Sequence, residues 1–174
     1  MANTALISII CEDRAGLISA ITARLFDLGA NLGDTTFAVL GSGAEFTTVC
    51  ELPTDVPLET VEGDMRGLPE LKGAKLTVSP FSYESVHGPS AEITHRIEIH
   101  GEDSPGLIAR LSEVFVEFGA NIVRLNSSRV PAVGGAKYVL RLAVWIPEAK
   151  VETCLATVAN TAGELKLTCR WAAV

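Results

Sequence analysis

The chain has 174 residues, 48% of them hydrophobic, and carries 21 Asp and Glu against 14 Lys and Arg for a net charge of −7. That length suits one mid-sized domain or two small ones, with enough apolar material for a core. The acidic balance and the absence of any Lys/Arg cluster argue against direct nucleic-acid or anionic-lipid binding, and no apolar run approaches the ~20 residues of a membrane span. Met1-Ala2-Asn3-Thr4 lacks the basic start of a signal peptide. Cys11, Cys50, Cys154 and Cys169 lie far apart without C-x-x-C spacing, which reads as free thiols of a cytoplasmic protein.

In chain order, an alternating run ending near Ile10 predicts a first strand. Leu17, Ile21, Leu25 and Leu28, at steps of four and three, predict a helix that Gly29 ends. Two strands follow, about Leu32 to Leu40 and Glu45 to Leu52, joined by Gly41-Ser42-Gly43. Phe46, Thr48, Cys50 and Leu52 form the inner face of the second, and Pro53 closes it. Leu58, Val61, Met65 and Leu68 predict a weaker helix, and Ala74 to Phe81 a last strand.

The same order then returns ninety positions on. Ile7 to Ile18 matches Ile97 to Ile108, and Asp27 to Leu32 matches Glu117 to Ile122, at one offset and without a gap. Leu107, Leu111, Val114 or Phe115, and Phe118 repeat the helical stripe, ended by Gly119. The second hairpin, Ile122 to Val130 and Lys137 to Ile146, is four residues longer, with Leu140, Leu142, Val144 and Ile146 inward. Val151, Leu155, Val158 and Ala162 predict the next helix, and Leu165 to Trp171 the final strand. The fold class is therefore α+β: two tandem ferredoxin-like β-α-β-β-α-β units, each an antiparallel sheet with helices on one face. The expected boundaries are 1–82, a linker at 83–92, and 93–174. Leu6, Ser8, Ile10 and Val49 in the first unit, and Ala143 and Trp145 in the second, fall on the outer sheet face. That face is apolar enough to suggest a contact.

Two features repeat and carry polar chemistry. The turn after the first strand is Glu12-Asp13-Arg14-Ala15-Gly16 in one copy and Glu102-Asp103-Ser104-Pro105-Gly106 in the other. A helix N-terminus there presents unpaired N–H groups and a positive dipole end to an anion. The same residues also read as structure alone, with Ser104 as N-cap and Pro105 as the first helical residue. Gly29-Ala30-Asn31 and Gly119-Ala120-Asn121 supply an amide that can bond a zwitterion, or simply support a turn. His95 and His100 are five apart on a strand and point to opposite faces, and His87 falls in the linker, so no metal site is expected. No nucleophilic triad or phosphate loop is present, which leaves no catalytic residue and no cofactor to assign.

Asp-x-x-Gly-Leu-Ile followed by Gly-Ala-Asn-Leu or Gly-Ala-Asn-Ile, inside this element order, resembles the ACT domain over nearly the whole chain. The tandem arrangement is similar to the glycine cleavage system transcriptional repressor family. The resemblance implies a non-enzymatic regulatory protein that binds an amino acid or similar small ligand at interfaces between ACT units. It implies a homodimer acting through a protein partner, a transcription regulator, with no direct nucleic-acid contact. The ligand residues it implies are Asp13, Arg14, Ala15, Gly16, Leu17, Ile18 and Asn31, and Asp103, Ser104, Pro105, Gly106, Leu107, Ile108 and Asn121. The family's turn reads Asp-Arg-Pro-Gly. Here Ala15 replaces the proline in one copy and Ser104 the arginine in the other, so the two sites differ. A chain of this length leaves no room for an attached catalytic domain. The alternative reading is an interaction module without a ligand.

Overall fold

The structure is a computed structural model that describes residues 3–84, 86–132 and 135–174. The chain divides into two compact units, Met1–Tyr83 and Glu84–Val174. The first runs β1 (Asn3–Glu12), α1 (Leu17–Asp27), β2 (Asn31–Leu40), β3 (Gly43–Leu52), α2 (Leu58–Arg66) and β4 (Lys75–Pro80). The second runs β5 (His95–Gly101), α3 (Leu107–Phe118), β6 (Asn121–Ala132), β7 (Gly135–Trp145), α4 (Val151–Glu164) and β8 (Thr168–Ala173). The sheet orders are β2-β3-β1-β4 and β6-β7-β5-β8, with every pairing antiparallel. This is the expected ferredoxin-like arrangement, made twice.

The period-two pattern sets which side of each sheet is covered. Ala5, Ile7 and Ile9 of β1 point at the helices and are fully buried, as are Ile21 and Leu25 of α1 and Val61 and Met65 of α2. The second unit buries Ile97, Ile99, Leu111 and Phe115 against Leu140, Leu142 and Val144. Each core is assembled from its own unit's residues. Thr48 is the buried polar residue among those described, and its hydroxyl lies 2.7 Å from the Thr35 hydroxyl across the β2–β3 pair. That bond meets the requirement that a buried polar group find a partner.

Gly29 and Gly119 end α1 and α3 as expected, at φ 74° and 66°. The next residue closes each end: the Ala30 N–H donates to the Leu25 carbonyl at 2.9 Å, and the Ala120 N–H to the Phe115 carbonyl at 2.8 Å. This six-to-one bond needs a left-handed residue before it, which glycine adopts most cheaply.

Two local expectations are corrected. Ser104 is not the N-cap of α3 and Pro105 is not its first residue; Gly106 precedes the helix at φ 82°, with no side-chain cap. The final strand is not Leu165–Trp171 but Thr168–Ala173. Lys166 takes a positive φ of 59°, and the Leu167 N–H bonds back to the Ala162 carbonyl at 2.9 Å. Leu165 and Leu167 therefore alternate like a strand but lie in the turn that closes α4. Pro89–Ala91, within the expected linker, forms a short 3-10 turn. Among the described residues no helix is long and apolar enough to cross a membrane.

Candidate functional site

Both strand-to-helix turns have one geometry. The Leu17 N–H donates to the Arg14 carbonyl at 3.4 Å with Gly16 at φ 85°, ψ −4°. The Leu107 N–H donates to the Ser104 carbonyl at 3.3 Å with Gly106 at φ 82°, ψ 0°. A four-residue turn with its third residue near (+80°, 0°) is type II, which calls for glycine there and favours proline just before it. The motif is thus a requirement of the turn: Ala15-Gly16 and Pro105-Gly106 are its central pairs. Ala15→Pro should stabilise the first unit by about 0.4–1 kcal/mol through the unfolded chain, because Pro105 already occupies the same place in the second unit. Urea denaturation measures it, and a loss of stability would show that the two turns differ.

The turn delivers the chain into a helix whose start is bare. Neither α1 nor α3 has a side-chain cap or an acidic residue in its first turn. Among the described residues, no acceptor pairs with the N–H groups of Ile18, Ser19, Ile108 or Ala109. Leu17 and Leu107 are buried beneath each turn, while Asp13, Arg14, Ala15 and Gly16 are exposed, as are Asp103, Pro105 and Gly106. Ile18 is 44% exposed, and Ile108 and Ser104 are half-buried. The Asp13 N–H donates to the Ser42 carbonyl at 3.0 Å, tying the first turn to the β2–β3 hairpin.

Each turn is served by an arginine, by different routes. In the first unit Arg14, on the turn itself, lies 3.4 Å from the Glu12 carboxylate. In the second, where Ser104 replaces that arginine, Arg129 reaches from β6 and donates to the Asp103 carboxylate. Both pairs are exposed, so each adds little stability, but each fixes a guanidinium beside a bare helix start. Arg129 was not among the expected residues. Its signal was a compensation between copies: position 104 loses an arginine, and position 129 gains one where the first copy has Val39.

The two halves of the motif lie apart within a unit. Glu12 pairs with Gly43 at one end of the first sheet, whereas Asn31 pairs with Glu51 at the other. The 11-residue α1 between them spans about 16 Å. Asn121 lies likewise at the far end of α3 from Asp103, and its Nδ2 donates to the Ser90 carbonyl at 2.8 Å. Asn31 and Asn121 are exposed, but neither can share a small ligand with the turn of its own unit.

Other chemistry is sparse. Burial pushes the Cys50 and Cys169 thiols up to about 11 and raises those of Cys11 and Cys154. All four cysteines are free and stay protonated near neutral pH, so none is an activated nucleophile. Among the described residues no group of three or more His, Cys, Asp or Glu side chains gathers to hold a metal. A shallow cleft of about 500 Å³ on the second unit is lined by His95, Val151, Glu152, Leu155, Ala156 and Trp171, with Ala172 and Ala173. None of the turn residues reaches it.

Residues 95–144 match the family model of the ACT domain. Over their full lengths the chain is similar to an unknown protein from Galdieria sulphuraria, at 19% identity and a TM-score of 0.76, covering 100% of this chain and 99% of that one. It is similar also to a candidate glycine cleavage system transcriptional repressor, at 11% identity and a TM-score of 0.69, covering 100% and 98%. No curated protein matches by sequence. At such identities the two structures speak to fold alone, and they carry it across both units. The ACT match thus falls within the second unit, and the first unit repeats that unit's topology.

Proposed function

We propose that this chain is a non-enzymatic regulatory sensor that binds an amino acid or similar small ligand at its strand-to-helix turns. The observation that carries the proposal is the bare helix start, made twice by the same glycine turn, with an arginine beside each. Unpaired N–H groups at the positive end of a helix dipole receive a carboxylate. Asp13, whose carboxylate is exposed, would face the ammonium group in the first unit. In the second, Arg129 competes for Asp103, so the two sites prefer different ligands.

The ACT match supports a regulatory role. The likeness to a candidate glycine cleavage repressor makes control of amino-acid metabolism genes, glycine among the candidates, the reading to test first. Control would pass through a DNA-binding partner protein, with the chain working in the cytoplasm as a homodimer. Asn31 and Asn121 enter such a site only from a neighbouring ACT unit, because their own turns are too distant.

Ligand at a hundred times its dissociation constant adds about 2.7 kcal/mol, and each kcal/mol moves the melting point of a chain this long by about 2–4 °C. A thermal-shift screen of glycine, serine and the other amino acids should therefore give at least one rise of several degrees. A flat screen at millimolar ligand would overturn the sensor reading and leave an interaction module without a ligand.

A further inference from the structure

The two units keep the same inside and carry different outsides. Strand alternation places Arg96, Arg124, Lys137, Arg141 and Arg170 on the outer face of the second sheet, with Glu98 the single carboxylate among them. All five cations are exposed. Glu98 sits between Arg141 and Arg170 in register and accepts a hydrogen bond from the Arg141 Nε at 2.9 Å. Among the described residues no ion pair is formed by Arg96, Arg124, Lys137 or Arg170. A chain of net charge −7 thus gathers five of its 14 basic residues on one sheet face.

The outer face of the first sheet has the opposite character. Glu12, Glu45 and Glu51 lie on it against Lys75. Across its middle runs one row of hydroxyls, Thr36, Thr47, Ser8 and Thr77, paired strand to strand. Ile10 and Leu40, on the same face, are 51% and 58% exposed. Carboxylates and hydroxyls are acceptors, and guanidinium groups present several donors on long, weakly hydrated stems. Two sheet faces stack about 10 Å apart, a gap that arginine side chains from one face can cross.

The geometry points to self-association in which the basic sheet face of one copy docks on the acidic, hydroxyl-bearing sheet face of a second copy. This inference is independent of any ligand at the turns. A nucleic acid fits the basic face less well, because the middle of its central strands shows Glu98, Arg141 and Ala143 where stacking aromatics would be needed, and Trp145 on this face is half-buried at the end of β7. Four strands about 4.8 Å apart and some seven residues long offer on the order of 450 Å² per face. That places the contact among weak interfaces, so it should form at high chain concentration and be loosened by salt.

Sedimentation of the full chain from micromolar to near-millimolar concentration tests this. Reversible association is expected in about 0.1 M salt, weakened at least tenfold in about 1 M. The double variant Arg141→Glu, Arg170→Glu should be monomeric and folded by circular dichroism, with Arg96→Glu, Arg124→Glu as a second variant should the first not fold. Mixing Arg170→Glu chains with Glu45→Arg chains should restore association. A chain monomeric at every concentration, a dimer indifferent to salt and to these substitutions, or a monomer that instead binds single-stranded RNA or an acidic protein would overturn the inference.

Discussion

Replacing Phe115 by alanine should destabilise the second unit by about 3–5 kcal/mol, the range for removing a buried aromatic side chain. Phe115 is 1% exposed and packs from α3 into the core formed with Ile97, Ile99, Leu140 and Leu142. Its place in the first unit is taken by Leu25, which serves a separate core with Ile7, Ile9 and Phe46. The loss should therefore be local. Native-state amide exchange is expected to show faster opening across β5 to β8 while Ile7, Ile9 and Phe46 keep their protection. A loss below about 1 kcal/mol, or an equal loss in both units, would contradict the two-core description.

Gly29→Ala should cost about 2–4 kcal/mol, against about 1–2 kcal/mol for Gly119→Ala. Both glycines hold a positive φ, so both changes carry the left-handed penalty. Only Gly29 has a neighbour in the way: a Cβ there would lie 3.0 Å from the Pro53 Cγ, whereas one at Gly119 meets open space. Urea denaturation of the two variants measures the difference, and equal losses would remove the Pro53 contact from the account. The comparison also separates the parts of the Gly-Ala-Asn motif. Its glycine closes a helix, while its asparagine has separate work, which in the second copy is the bond from Asn121 Nδ2 to the Ser90 carbonyl.

The core and topology were legible because period-two and period-3.6 patterns repeat ninety positions apart and each copy checks the other. Phe46, Cys50 and Leu52 alternate inward, and the structure buries them. What misled was local chemistry with two readings. Ser104-Pro105 suits a helix start, but it equally suits the first half of a type II turn, and Gly106 decides for the turn by taking a positive φ. Leu165 and Leu167 alternate like a strand until Lys166 reverses the chain.

The candidate site was harder to read, because proximity in sequence is not proximity in space. Asp13 and Asn31 bracket α1 and so stand at its opposite ends. Arg129 is remote in sequence, yet it arrives beside Asp103 because β6 runs past the turn. Both facts follow from strand register, which the motif alone does not reveal.

If the bare helix starts hold a small ligand, as proposed, their backbone amides should respond to it. Backbone amide chemical shifts, followed through titration with whichever amino acid raises the melting point, test it most directly. Saturable shifts are expected at Gly16, Ile18 and Ser19, at Gly106, Ile108 and Ala109, or at both sets. Saturable shifts confined to His95, Val151, Leu155 and Trp171 around the cleft, with both turns unmoved, would contradict the proposal.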